Sequence, residues 1–202
     1  MLILAAFSWL VLVCAGMKFV LDYQTRAGDP ARPPGRWPRD SRIAAAAGRP
    51  TLLMFVHPRC PCSRATLSEL ERVLARAGGG LEATVQFVVP AGENPAWADG
   101  ELWRRASAIP GARVAADSGG AEARRFHSAT SGQVLVYDES GRLRFAGGIT
   151  AGRGHAGDNA GSDAVAALAQ RGTASRMRTP VYGCELASPS TTDEGRNPEC
   201  PR

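Results

Sequence analysis

The sequence predicts an α/β fold, a mixed sheet with helices on both faces, preceded by an N-terminal transmembrane helix. Two observations predict it. Residues 2–21 (LILAAFSWLVLVCAGMKFVL) are apolar apart from Ser8 and Lys18. Further along, apolar runs of strand length alternate with segments of helical period and end in a hairpin signal.

At ~1.5 Å per residue, twenty residues cover the roughly 30 Å of a bilayer's hydrocarbon layer. No basic region precedes the stretch and no clean A-x-A site follows it, and Val13 is too bulky for a lipidation signal at Cys14. An uncleaved anchor over 1–22 is expected. Residues 23–40 are rich in Pro, Gly and Arg without apolar periodicity and read as a linker. A domain over 41–171 follows, and 172–202 reads as a largely disordered tail.

Within the domain, Thr51–His57 (TLLMFVH) is a strand buried on both faces. Pro61 opens a helix whose Leu67, Leu70, Leu74 and Ala77 share one face, and Gly78-Gly79-Gly80 stops it. Ala83–Val89 is the next strand. Asn94-Pro95 starts a helix carrying Trp97, Leu102, Trp103 and Ala106 inward. Ala112–Ala116 is a short strand and Ala121–His127 a short helix. Gln133–Tyr137 and Leu143–Gly147 flank the turn Asp138-Glu139-Ser140-Gly141, and Ser162–Arg171 closes the domain as a helix.

Composition excludes some functions. The net charge is +5, yet there is a single lysine, and the arginines are scattered among Gly and Ala without interleaved aromatics. No nucleic-acid partner is expected. The six glycines of 147–161 lack the Gly-Lys-Ser/Thr ending of a phosphate loop, so no nucleotide site is expected.

The chemistry concentrates at Cys60-Pro61-Cys62. A strand, a tight turn and a helix start place both sulfurs where free backbone N–H groups and the helix dipole favour thiolate, with Arg59 and Arg64 nearby. So short a Cys-x-Cys loop strains a disulfide and makes it easier to reduce.

FVHPRCPC and VAADSGGAEARRFHSATSGQVLVYDESGRLRF resemble the thioredoxin-like superfamily, in particular the RedB-like set of membrane-anchored thioredoxin-fold proteins of bacteria. The resemblance spans roughly 40–171 and is specific in element order and in those two segments. It implies a thioredoxin-like mixed sheet and an extracytoplasmic thiol domain, on the periplasmic side of a bacterial inner membrane. The Arg-rich flank (Arg26, Arg32, Arg36, Arg39, Arg42) argues the other way by the positive-inside rule; the periplasmic side is the expectation. Two departures stand out: Cys-x-Cys replaces Cys-x-x-Cys, and Thr130-Ser131-Gly132-Gln133 stands where the family has a cis-proline that shapes its substrate groove.

On that fold, His57, His127 and His155 should gather at one sheet edge near the thiols. The leading expectation is a thiol-disulfide oxidoreductase acting on protein thiols or disulfides without a cofactor. Cys60 attacks, Cys62 resolves the mixed disulfide, and His57 moves protons. The alternative is a copper-binding or copper-delivery module holding the metal with Cys60, Cys62, His155 and His127. Cys184, in RTPVYGCEL, is a candidate resolving or third thiol, and Cys200 is incidental. A peroxidase is disfavoured because no Thr-x-x-Cys turn is present.

Overall fold

The computed structural model describes residues 2–29 and 31–186. Helix α1 (Leu2–Thr25) comes first, followed by β1 (Thr51–Val56), α2 (Ser63–Ala77) and β2 (Glu82–Val89). A 3₁₀ turn (Pro95–Ala98) leads to α3 (Glu101–Ser107), β3 (Ala112–Ser118) and α4 (Ala121–Arg125). The hairpin β4 (Gln133–Tyr137) and β5 (Leu143–Gly147) and helix α5 (Ala160–Arg171) complete the order. The helix expected from Asn94 is broken in two: Asn94 caps the 3₁₀ turn by accepting from the Ala96 N–H at 2.9 Å, and α3 starts afresh at Glu101. Cys200 lies outside the described residues.

The strands form one sheet in the order β3-β2-β1-β4-β5. β1, β2 and β3 run parallel, and β4 is antiparallel to both β1 and β5. β1 is central, which explains its nearly continuous apolar sequence: every residue from Thr51 to Val56 is buried. Its side chains alternate between two cores. Leu52, Met54 and Val56 pack with Leu67, Leu70 and Val73 of α2, Leu102 of α3 and Val165 and Leu168 of α5. Leu53 and Phe55 face the other way, against Phe126, Leu135, Tyr137 and Leu186.

That second face has only the five-residue α4 to cover it, and the flanking segments complete the cover. Trp37 meets Phe126 and Tyr137 edge-on at 5.1 and 5.2 Å between ring centroids. Tyr137 donates its hydroxyl to Pro34 O at 3.0 Å, and Leu143 N–H donates to Gly35 O at 3.0 Å. The stretch read as a bare linker over 23–40 is therefore partly structural. The tail expected from 172 is corrected in the same way as far as Leu186. Ala146 N–H donates to Met177 O at 3.0 Å and Gly148 N–H to Pro180 O at 3.2 Å, and Val181 and Leu186 are buried. Helical periodicity and strand alternation are silent about such extended cover, because it is held by single backbone bonds and isolated apolar side chains.

Helix α1 is predominantly apolar and has no buried residue, which fits a single-pass membrane anchor. Its 24 residues reach about 36 Å.

Candidate functional site

Strand β1 ends at Val56 and runs into a tight turn whose backbone closes on itself. Cys60 N–H donates to His57 O at 3.0 Å, Ser63 N–H to Cys60 O at 3.1 Å, and Ala65 N–H to Cys62 O at 3.2 Å. Helix α2 proper opens at Ser63 with Cys62 as its N-cap residue, two positions later than Pro61 suggested. Proline suits such a turn because its ring presets φ and it has no N–H to satisfy. Cys60 is completely buried, while Cys62 is half-buried.

Four donors converge on the Cys60 sulfur. The Cys184 thiol contributes most, then the Cys62 thiol, and the Ser63 hydroxyl and the Cys184 backbone N–H add to them. Together they outweigh burial and hold Cys60 far below the ordinary thiol range. Cys62 moves the opposite way. Its hydrogen bond to Cys60 holds its proton, and burial and the neighbouring thiolate charge add to that, while Arg153 opposes them. The two sulfurs thus share one proton, which sits mainly on Cys62.

Cys184 arrives from the C-terminal segment, which pairs antiparallel with the loop before β4. Ser131 N–H donates to Cys184 O at 2.7 Å, Leu186 N–H donates to Ala129 O at 2.8 Å, and Thr130 bridges Glu185. Gly183 lies so close to the Ser131 carbonyl that a Cβ there would collide with it. These bonds also account for the missing proline. No cis peptide bond occurs among the described residues. Ser131 N–H is used by Cys184, and Gly132 N–H donates to Phe55 O at 2.8 Å. A proline at either position would remove a donor. Ser131 further accepts from His57 N–H at 2.8 Å and shares a hydroxyl hydrogen bond of 2.8 Å with Ser63, tying the loop to the thiol turn.

The cations are arranged differently from the expectation. Arg59 lies over the Trp97 ring at 4.3 Å and Arg64 pairs with Glu101 at 2.8 Å. The charge that reaches Cys62 belongs to Arg153, which composition and spacing did not single out. Arg153 donates to Gly183 O at 2.8 Å, its backbone N–H donates to Gln24 O at 3.0 Å, and its guanidinium lies 5.2 Å from the Tyr23 ring centroid. Its loop is pinned from below, where buried Glu69 accepts from Gly157 N–H at 2.7 Å and Asn159 donates to Ile149 O at 2.9 Å. The one signal in the sequence was the Gly-rich loop itself.

The expected ring of three histidines does not form. His57 is at the site: burial pushes its pKa down, the Cys60 thiolate pulls it back up and Arg59 lowers it. Its Nδ1 accepts from Arg59 N–H at 3.2 Å, placing the proton of the neutral ring on Nε2. His127 is exposed, has a φ of 50°, and bonds Arg32 O at 2.9 Å in a pocket with Asp29 and Arg124. His155 is exposed and its Nδ1 bonds Arg153 O at 2.9 Å. Among the described residues no group of three or more His, Cys, Asp or Glu side chains is arranged to hold a metal ion. The metal set of Cys60, Cys62, His127 and His155 is thus not assembled. Helix α5 is capped by Asn159, which accepts from Ser162 N–H at 2.8 Å.

A central parallel pair, an antiparallel hairpin beside it and paired cysteines where the first strand meets a helix define a thioredoxin-like fold. No protein-family model matches the sequence, and no match was found among curated proteins. Solved structures do match. A protein of Sinorhizobium meliloti is 24% identical, with a TM-score of 0.53 over 68% of this chain and 78% of its own. A conserved protein of Geobacillus kaustophilus is 18% identical, with a TM-score of 0.58 over 83% of this chain and 95% of its own. At these identities the likeness is one of fold. A secreted disulfide oxidoreductase of Mycobacterium tuberculosis also matches, at 19% identity and a TM-score of 0.39 over 48% of this chain and 67% of its own, too slight a likeness to argue from.

Proposed function

We propose that the chain is a membrane-anchored thiol-disulfide oxidoreductase that works through Cys60-Pro61-Cys62 on protein thiols or disulfides. Its domain would lie on the periplasmic face of a bacterial inner membrane. The observation that carries the reading is the Cys60 sulfur, buried as a stabilised thiolate in hydrogen-bonding contact with the half-buried thiol of Cys62. A thiolate beside a second thiol is the arrangement thiol-disulfide exchange requires.

Burial exchanges the roles expected for the two cysteines. Cys60 has no exposed surface, so Cys62 is the sulfur that meets substrate. Moving the shared proton from Cys62 to Cys60 leaves an accessible thiolate facing Arg153, whose charge stabilises it. That thiolate attacks the substrate disulfide, one substrate thiolate leaves and takes up a proton, and a Cys62 mixed disulfide remains. Cys60, deprotonated again, attacks the Cys62 sulfur, expels the second substrate thiolate and closes the Cys60–Cys62 bond. His57 is close enough to feel the Cys60 charge, and it moves the proton to and from Cys60 when Arg59 N–H releases Nδ1, the one basic nitrogen of the neutral ring.

Turnover of insulin disulfides or of a glutathione-linked disulfide by wild type, Cys60→Ser and Cys62→Ser tests the reading. Both variants should lose nearly all activity, and unchanged turnover in both would remove the mechanism. In intact cells, labelling of Cys62 by a membrane-impermeant thiol reagent checks the placement; labelling only after lysis would put the domain in the cytoplasm.

A further inference from the structure

Exchange between Cys60 and Cys62 leaves the third thiol of the cluster without a part. Cys184 reaches Cys60 because Gly183 to Leu186 adds as a short antiparallel strand to residues 129–131. Main-chain bonds supply the attachment, as when an extended peptide is captured on a sheet edge, but here the peptide belongs to the same chain. Three further features hold it in register. Gly183 permits the close approach to Ser131. Arg153 grips Gly183 O. Leu186 is buried in the second core with Phe55 and Phe126. The strand therefore presents its thiol to the buried Cys60 from one side while Cys62 approaches from the helix turn.

We propose that the site is a three-thiol relay: Cys62 exchanges with substrate, Cys60 carries the exchange inward, and Cys184 closes the resting disulfide with Cys60. The proposal rests on the oxidoreductase reading and assigns its internal partner. Once exchange has produced the Cys60–Cys62 disulfide, the Cys184 thiolate attacks the Cys60 sulfur. The Cys60–Cys184 bond forms, the Cys60–Cys62 bond breaks, and Cys62 leaves with the electron pair and takes the proton Cys184 gave up. No electrons are gained or lost in this step. The net change is a protein with three thiols plus one substrate disulfide giving a protein with one disulfide and one thiol plus two substrate thiols. An external dithiol returns the protein to its reduced form, and the cycle runs in reverse when the protein oxidises a substrate.

The direction of the step follows from loop size. A Cys-x-Cys bond closes a very short loop and is strained, whereas Cys60 and Cys184 lie far apart in sequence and are brought together by the backbone pairing of 183–186 with 129–131 and the bonds of Ser131 to the thiol turn. The relay moves the oxidising equivalent off the strained pair and returns Cys62, which unlike Cys60 is only half-buried, to its thiol form.

The test uses the full chain in detergent with Cys14→Ser and Cys200→Ser, so that Cys60, Cys62 and Cys184 remain. The protein is equilibrated in glutathione buffers of graded composition, quenched in acid, alkylated and digested, and its disulfides are mapped by mass. Cys60–Cys184 should be the major intramolecular bond. Adding Cys62→Ser should leave that bond intact. Adding Cys184→Ser should leave Cys60–Cys62 as the only intramolecular bond and raise the glutathione adduct on Cys62 from a minor to a major species. If Cys60–Cys62 is the only intramolecular bond with all three thiols present, and the Cys62→Ser form shows adducts alone, the relay is overturned while the oxidoreductase reading stands. If no variant exchanges with glutathione, both fall. Should Cys184→Ser fail to fold, the Cys62→Ser map decides alone, since that change leaves the C-terminal strand untouched.

Discussion

Cys60 sets the chemistry of the site through its neighbours rather than through its own type. An isolated cysteine titrates at about 8.5, and burial alone would raise that value. Hydrogen bonds from Cys184, Cys62 and Ser63 reverse the direction. The folded pKa of Cys60 lies below its unfolded value, so its contribution to stability is complete above about pH 8.5 and fades as the pH falls toward the folded value. Cys62 has the opposite sign: its proton is held in the folded state, so it costs stability as the pH rises past about 8.5. The measurable outcome is thiolate ultraviolet absorbance in the reduced protein. One thiolate should persist through neutral pH and vanish in Cys60→Ser. Cys184→Ala, by removing the largest stabilising contribution, should move the titration upward; a curve unchanged by that substitution would show that Cys184 does not act on Cys60. The thiol pair and His57 could be read in the sequence because residue type and the strand-to-helix turn identify them. Arg153, Ser63 and Ser131 could not, because their part depends on which loops meet at the turn.

At the scale of elements, the central construction is the pairing of 183–186 with 129–131. It replaces a cis-proline with ordinary backbone donors, and it needs a residue without a side chain at 183. Gly183→Ala forces a Cβ against the Ser131 carbonyl, an overpacking that costs about 1–3 kcal/mol. The strand should shift outward and carry Cys184 away from Cys60. Faster alkylation of Cys184 is the expected result; equal Cys184 rates in variant and wild type would show that the strand is not held by this contact. The regular elements were readable, since Leu67, Leu70 and Leu74 repeat at helical spacing and β1 is apolar from Leu52 to Val56. The C-terminal strand was not, because Tyr182 to Leu186 is too short to show a period and its partner lies some fifty residues earlier.

For the molecule as a whole, the two faces of the sheet are covered in different ways. One carries α2, α3 and α5; the other relies on α4 and Ile43 together with Trp37 and Leu186 from outside the expected domain limits. A chain cut after Arg171 therefore loses the buried Val181 and Leu186, at about 1.5–3 kcal/mol each, and the backbone bonds that seat them. With roughly 2–4 °C per kcal/mol for a domain of this size, a fall in Tm of about 10 °C is expected. A chain ending at Leu186 keeps every contact described and should melt about 10 °C above the one cut after Arg171. Equal melting temperatures for the two truncations would show that the segment is not part of the folded unit.

Legible in the sequence alone were the apolar N-terminal helix, the order of strands and helices, and the place of two cysteines where a buried strand turns into a helix. Each is a local property, carried by period, propensity or residue type within a short window. Only the tertiary structure decided what surrounds Cys60-Pro61-Cys62. It buried Cys60 and left Cys62 half-buried, turned His127 to the Arg32 carbonyl and His155 to the Arg153 carbonyl, and brought Cys184 and the Arg153 guanidinium to the thiols. The physical reason is that thiolate stability depends on donors a few ångströms away in space, and these come from segments more than ninety residues apart in the chain.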